Sequence, residues 1–322
     1  MPATQPFALI ADLQRLNQQL VELPCPACGG HDPHLIWRRD RYFLTVNLSS
    51  CRACGLVYLA RGLQGEAQDR FYAHFYPRLM KQPPDAHSLW NYRMIAGYRH
   101  SEISAVIGPI DSVLDIGAGL GFFLDACRGH GCGQYLGLEP GGPQREHAVH
   151  TLGLGGHVLD RGLDEGTVLP FRPRLITLFH VLEHLEDPGK ALQRAAALID
   201  PEGWLVIEVP DIRAPWRGLG LQQVHVSHRS YFCEATLTAL LQRNGFGVHR
   251  TVREPHGIYE GNLRMYARPG FQARQASPLS PPSPSALAEL KAHVLRHISP
   301  WSLRNGYPRS AIRLCKLSMK GH

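Results

Sequence analysis

The sequence predicts an α/β protein that carries a parallel sheet and, ahead of it, a small metal-binding ribbon. From Ser112 onward, short apolar strands alternate with helical segments, as is typical of a parallel sheet covered on both faces. Two CxxC pairs precede that region, and in a reducing compartment such pairs favour a metal over disulfides. The chain has 322 residues, of which 44% are hydrophobic. It can therefore bury a sizeable core, which excludes global disorder.

The first elements are a helix and the ribbon. Residues 7–22 place apolar side chains at helical spacing and end before Pro24, which predicts a helix. The ribbon follows from Cys25 to Cys54, where two CxxCG turns flank a strand-like stretch from Arg41 to Leu48. Residues 66–107 are rich in aromatic side chains and are predicted to be helical in parts.

The two turns, CPACG and CRACG, have the spacing C-x2-C-x22-C-x2-C. Paired knuckles of this kind let four thiolates close a tetrahedron around zinc, and the glycines allow the turns beneath the metal. Four thiolates leave no open position, so the predicted zinc is structural. A pair of redox dithiols is the alternative. The predicted ligands are Cys25, Cys28, Cys51 and Cys54.

A glycine-rich turn joins the first predicted sheet strand to a helix. In VLDIGAGLGFFL, Asp115 ends the strand, and glycines at 117, 119 and 121 let the backbone approach a ligand closely. The next strand, YLGLEP, ends in Glu139, and a carboxylate at that place accepts hydrogen bonds from both ribose hydroxyls. The turn lacks the dinucleotide fingerprint GxGxxG, because Phe122 and Leu124 stand where its last glycine would be.

The pattern DxGxGxG instead resembles the first motif of class I S-adenosylmethionine-dependent methyltransferases. Residues 179–192, 198–211 and 236–246 resemble three later segments of that family in the same order. The resemblance covers roughly residues 90–270 and implies a Rossmann-like sheet of seven strands with a reversed final strand. One departure is the stretch Arg172 to Leu175, where the family usually shows an apolar–Asp pair.

The resemblance implies a set of residues that bind S-adenosylmethionine. His180, Glu183 and His184 would face the cofactor cleft, and Asp164 would meet the adenine amino group, with a solvated loop acid as the alternative. The implied cofactor-binding set is Asp115, Gly117, Ala118, Gly119, Gly121, Glu139, Asp164 and His180.

The knuckles ahead of such a domain make the chain similar to a narrower group, the sugar C-methyltransferases of deoxysugar biosynthesis. HRSYF at 228–232 resembles that group's His-x-x-Tyr-Phe segment, and residues 257–269 resemble its terminal Gly-x-Leu-Arg strand. In that group the histidine is a proposed base preceded by Glu, whereas Ser227 precedes His228 here. The group also continues into a second α/β domain, whereas only 52 residues follow residue 270 here.

The predicted reaction is methyl transfer to a small molecule, such as a sugar nucleotide or a related polar metabolite, on carbon or oxygen. Alignment of the methyl donor with the acceptor supplies much of the rate acceleration. A carbon or oxygen acceptor also loses a proton, and a histidine with a pKa near neutral can remove it. The candidate bases are His184 and His228. A structural role for His184, orienting Glu183, is the alternative.

Charge decides between the competing functions. The chain carries +7, which would suit nucleic acid, but residues 101–270 carry −4 and residues 271–322 alone carry +7. This distribution argues against the first alternative, an RNA methyltransferase with a zinc ribbon. The second alternative is a degenerate, non-catalytic zinc-ribbon scaffold, and the intact glycine motif argues against that. The basic tail would dock an unidentified partner.

No apolar run approaches the roughly 18 residues of a membrane span. The N-terminus lacks a charged region followed by an uninterrupted apolar stretch, so no secretory signal is predicted. The sequence therefore predicts a cytoplasmic protein without a membrane partner. The predicted segments are an N-terminal helix (1–24), the zinc-binding ribbon (25–62), a helical substrate-side segment (63–107), the methyltransferase domain (108–270), a Pro/Ser linker (271–285) and a basic C-terminal tail (286–322).

Overall fold

The computed structural model of the chain describes residues 8–79, 84–214, 220–254, 261–270, 281–304 and 306–319. These residues form two compact units. Unit 1 takes its described residues from 1–82, 211–232 and 279–322, and unit 2 from 83–210 and 233–278. Residues 211–232 and the C-terminal helices therefore pack with the N-terminal ribbon, and the six linear segments named above stay a prediction. The first ten residues of the predicted linker lie outside the described residues.

Unit 2 is built on a sheet of seven strands. Its strands are β6 (Ser112–Ile116), β7 (Gln134–Leu138), β8 (Val158–Leu159), β9 (Leu175–Phe179), β10 (Trp204–Val209), β12 (Phe246–Glu254) and β13 (Asn262–Pro269). Its helices include α4 (Ala86–Ile107), α5 (Phe122–Gly129), α6 (Gly142–Glu146), α7 (Pro188–Leu198) and α8 (Glu234–Arg243). Two helix starts are capped by carboxylates, since Asp85 accepts the Ser88 N–H and Asp187 accepts the Lys190 N–H.

The strand order is β12-β13-β10-β9-β6-β7-β8. β10, β9, β6, β7 and β8 run parallel, and β13 is antiparallel to both of its neighbours. The central strands are apolar almost throughout because helices cover both faces; Leu114, Ile176 and Ile207 are fully buried. The predicted fold class, an α/β protein with a seven-stranded sheet and a reversed final strand, is confirmed. The carboxyl ends of the parallel strands form one edge, where the glycine turn lies.

Unit 1 contains the ribbon, whose four-stranded sheet has the order β11-β4-β3-β2. The strands of unit 1 are β1 (Val21–Glu22), β2 (Pro33–Arg39), β3 (Thr45–Cys51), β4 (Val57–Leu59), β5 (Arg61–Gly62) and β11 (Ser230–Tyr231). Its helices include α1 (Ala8–Gln18), α2 (Glu66–Arg70), α3 (Tyr76–Leu79), α9 (Pro284–Ile298) and α10 (Tyr307–Met319). A π-helical stretch, Phe71–Phe75, joins α2 to α3.

The predicted strand over Arg41–Leu48 is wrong in its start, because β3 begins only at Thr45. The buried Asp40 carboxylate accepts the backbone N–H groups of Tyr42 and Leu44, at 2.8 and 3.0 Å. These bonds hold residues 40–44 in a turn. The same N–H groups are then not available to pair with a neighbouring strand.

The tail forms two helices within unit 1. One face of α9 is apolar and buried, and it consists of Leu287, Leu290, Val294 and Ile298. The N-cap of α9 is Ser283, whose side chain accepts the Ala286 N–H. Across the described residues, no helix combines the length and apolarity that crossing a membrane requires.

Candidate functional site

The glycine turn follows β6 at the carboxyl edge of the sheet. Gly117, Gly119 and Gly121 all adopt left-handed φ values, of 71°, 54° and 82°. Two of the three glycines lie too close to neighbouring side chains for a Cβ to fit. A Cβ at Gly117 would lie 2.3 Å from the Val181 side chain, and one at Gly121 would lie 2.8 Å from Ala148. Gly117 and Gly121 thus allow close packing.

Gly119 faces open space instead. A Cβ placed there would meet nothing closer than the Gly117 carbonyl oxygen, 4.0 Å away. The backbone at this point therefore leaves room for a molecule against the start of α5, where helix N–H groups point outward. The N–H groups of Gly117 and Ala118 are both bonded to the Leu138 carbonyl, which fixes the turn to the end of β7.

The Glu139 carboxylate stands beside the same turn. One oxygen accepts the Gly119 N–H and the other accepts the Gly141 N–H, both at 2.7 Å. Burial raises the pKa of Glu139, and the two N–H bonds oppose that rise. Each oxygen keeps a further lone pair for hydroxyl donors, as the predicted ribose contact requires.

Asp115 lies inside β6 rather than at its open edge. The carboxyl is 2% exposed and accepts the Thr177 hydroxyl hydrogen bond at 2.7 Å. Burial raises its pKa to about 7 even though the Thr177 bond lowers it. The observed contact ties β6 to β9 beneath the glycine turn, and cofactor binding by Asp115 stays a prediction.

His180 follows β9 and adopts a left-handed backbone, φ 56°, which is uncommon for a residue with a side chain. Its Nδ1 lies 3.2 Å from a Glu183 oxygen, and its Nε2 lies 3.4 Å from a Glu208 oxygen. Burial lowers the pKa of His180, but hydrogen bonds to these two carboxylates outweigh burial and raise it to about 9. The ring is therefore an imidazolium near neutral pH, held between two acids.

Glu208, near the end of β10, is the centre of a buried ionic cluster that the sequence analysis missed. It is fully buried, and its oxygens accept hydrogen bonds from Arg99 at 2.6 Å and from Arg264 at 2.8 Å. Arg264 also donates to Glu102 at 2.6 Å. Although burial raises the pKa of Glu208, Arg99, His180 and Arg264 hold it well below its usual range. A lone acid within the apolar run WLVIEVP was the available signal.

Asp164 lies on an exposed loop after β8. Both of its oxygens accept hydrogen bonds from Arg161 at 2.8 Å, and Thr167 donates to one of them. The Arg161 hydrogen bonds lower the pKa of Asp164. This pairing also fits the alternative of a solvated loop acid, so the adenine contact stays a prediction.

The two candidate bases belong to different units. His184, in unit 2, ends a 3₁₀ turn and donates its backbone N–H to Val181. In unit 1, the ring of His228 packs near His225 and Tyr231, with centroids 5.6 and 5.9 Å away. Ser227, which replaces the expected acid, hydrogen-bonds to the His225 ring. The catalytic roles stay predictions.

The four predicted metal ligands come together in unit 1. The sulfur atoms of Cys25 and Cys54 lie 3.5 Å apart, as do those of Cys28 and Cys51, and all four sulfurs lie within 4.8 Å of one another. A zinc ion with Zn–S bonds of ~2.3 Å separates its ligands by about 3.8 Å, so the arrangement fits. Hydrogen bonding within the cluster raises the pKa of Cys25 and lowers that of Cys51.

The sequence matches the model of one protein family. A family model described as a methyltransferase domain matches residues 64–251, which is more than half of the chain. No curated protein matches the chain in sequence.

Several solved structures have a similar fold. One is Burkholderia thailandensis 1,6-didemethyltoxoflavin-N1-methyltransferase with bound 1,6-didemethyltoxoflavin and S-adenosylhomocysteine, at 20% identity and a TM-score of 0.50, covering 67% of this chain and 95% of that one. Another is the mitomycin 7-O-methyltransferase MmcR, at 20% identity and a TM-score of 0.46, with 63% of each chain covered. The present chain thus spans less than two thirds of the mitomycin enzyme.

Proposed function

Because the chain belongs to the methyltransferase domain family, we propose that it transfers a methyl group from S-adenosylmethionine to a small molecule. The observation that carries the proposal is the pairing of the open backbone at Gly119 with the Glu139 carboxylate, 2.7 Å from the Gly119 nitrogen. The pairing offers a nucleoside both a surface without side chains and an acceptor for its hydroxyls. The Burkholderia enzyme, whose structure holds S-adenosylhomocysteine, supports the proposal through the shared fold.

When bound, S-adenosylmethionine supplies a methyl group on a sulfonium, a good leaving group. The work left to the protein is mainly alignment, worth up to several kcal/mol when the reacting atoms are held in line. Glu139 binds the ribose of the cofactor, and the glycine turn binds the part of the cofactor next to that ribose. An acceptor hydroxyl or carbon also loses a proton, and we assign that task to His184 or His228.

We infer that the acceptor is a small polar molecule, such as a sugar nucleotide, and not RNA. Residues 101–270, which include the glycine turn, carry a net charge of −4, and such a surface repels a phosphate backbone. The knuckle pair together with the HRSYF segment favours the sugar C-methyltransferase group. Methylation of carbon and of oxygen both fit.

We propose that Cys25, Cys28, Cys51 and Cys54 hold a structural zinc ion. The support is the distance between their sulfurs, which matches a tetrahedral site. Their place in the ribbon fits a role in stabilising unit 1, because metal binding and folding are coupled in small thiolate sites.

Calorimetry with S-adenosylmethionine and S-adenosylhomocysteine tests the proposed cofactor. We expect saturable binding of both by the full chain and its loss in Gly119→Arg, whose side chain would occupy the open space. Gly129→Ala is the matched control, because a Cβ at Gly129 meets nothing within 4 Å and lies at the far end of α5. Absence of heat with either ligand would refute the proposal.

Transfer of radiolabelled methyl into cell extracts tests the acceptor. The extracts are separated into RNA, protein and small-metabolite fractions after incubation with the full chain. We expect label in the small-metabolite fraction, and none when Gly119→Arg replaces the wild type. Label in RNA would favour the alternative, an RNA methyltransferase.

A further inference from the structure

Unit 1 contains a cavity of about 680 Å³ that none of the roles above uses. It is lined by residues of α1, of the turn between β2 and β3, and of α10. The volume lies within the range of about 300–1,000 Å³ that is typical of small-molecule sites.

Apolar side chains line part of the cavity. Leu13 from α1, Leu44 from the turn and Leu314 from α10 all line it, and each is at least 95% buried. Such walls favour the apolar body of a ligand, because burying its surface removes that surface from water.

One charged residue, Arg39, is among the described residues that line the cavity. Within the described part of the chain, its guanidinium has neither a hydrogen bond nor an ion pair, although its backbone carbonyl accepts the Tyr307 hydroxyl hydrogen bond. Tyr42 also lines the cavity, but the residue is only 3% exposed and its hydroxyl is buried from solvent. The Arg39 guanidinium is therefore available to a ligand in the cavity.

An aromatic ring is also held at the cavity. Phe43 has a left-handed backbone φ of 67°, which residues other than glycine rarely adopt. The Asp40 carboxylate fixes this turn through the N–H groups on either side of Phe43. The Phe43 ring stacks on Tyr307 at 4.7 Å and stays 36% exposed, so part of its surface remains open to a ligand.

We propose that this cavity binds an aromatic carboxylate. The apolar walls and the Phe43 ring would contact the aromatic body, and Arg39 would pair with the carboxylate, for which its planar guanidinium is well shaped. Among the described lining residues Arg39 is the one cation, which matches a ligand with one negative charge. The site is independent of the proposed methyl transfer, because none of the described residues that line the cavity has a role in it.

Binding of 2-naphthoate tests the charge requirement, with its neutral isostere 2-naphthamide as the comparison. Calorimetry on the full chain should show one site, with the amide bound about tenfold more weakly, since one charge-assisted hydrogen bond is lost. Arg39→Gln should bring 2-naphthoate down to the affinity of the amide. Arg38→Gln, an exposed neighbour outside the cavity lining, is the matched control and should leave both affinities unchanged.

Two further measurements test the place of binding. Leu314→Trp should fill the cavity and abolish binding. Ala311→Trp should have the same effect, and because Ala311 is exposed this variant disturbs the folded core less than Leu314→Trp. The free thiol of Cys315 lines the cavity, so 2-naphthoate should slow its alkylation by iodoacetamide in the wild type. No saturable binding, equal affinity for acid and amide, or an unchanged alkylation rate would each overturn the proposal.

Discussion

Replacing Glu208 by Gln tests whether the buried ionic cluster stabilises unit 2. The carboxylate is fully buried and neutralises two arginines, Arg99 at 2.6 Å and Arg264 at 2.8 Å. Glutamine keeps the shape but removes the charge and puts an N–H₂ group among donors. Removing one partner of a buried ion pair costs about 3–5 kcal/mol, because the remaining charge is left uncompensated. For a domain of roughly 150–250 residues this lowers Tm by about 6–20 °C.

Glu202→Gln is the matched control for this experiment. It removes one negative charge from the same unit, but its pair with Arg268, at 2.8 Å, is on the surface, with the two side chains 78% and 41% exposed. Such a pair contributes about 1 kcal/mol or less. Both variants are melted by circular dichroism at 222 nm and pH 7. If Glu208→Gln loses no more Tm than Glu202→Gln, the cluster does not stabilise the fold as argued.

Three further predictions concern pH, the metal and a helix cap. The His180 pKa is raised from 6.5 to about 9 in the folded chain, so its contribution to stability should be lost as the pH rises from about 6.5 to about 9; Tm across that window should fall more in the wild type than in His180→Gln. Atomic emission should find one zinc per wild-type chain and less in Cys51→Ser, whereas Cys127→Ser, buried in unit 2, should retain it. Ser283→Ala should lower the free energy of unfolding of unit 1 by about 1 kcal/mol in urea, because it removes the bond to the Ala286 N–H; no change would exclude a capping role.

Sequence patterns predicted the parts of the protein whose determinants are local. The alternation of apolar strands and helices predicted a parallel sheet, and the resemblance that rests on the DxGxGxG turn implied its seven strands. The CxxC pairs gave the four sulfurs that the structure brings together. The predicted enzyme class, a methyltransferase, is confirmed by the family match over residues 64–251.

The ionic cluster could not be predicted in the same way, because its members are far apart in sequence. Arg99 lies 109 positions before Glu208, and Arg264 lies 56 positions after it. Each looks like an ordinary charged residue until the fold places α4 and β13 beside β10. The turn at Asp40 was missed for a related reason: one of its hydrogen bonds goes to Val226, 186 positions away.

The interleaving of the two units matters for how the chain is synthesised. β4 pairs on one side with β3 but on the other with β11, so Tyr58 finds its partner Ser230 only after most of unit 2 has left the ribosome. Until then the buried residues Val57–Leu59 present an open strand edge, which favours association with other chains. A gene fragment that stops short of residue 230 would leave that edge permanently open, even where the knuckles can already bind their metal. Expression of the ribbon alone should therefore call for residues 211–232 to be supplied with it.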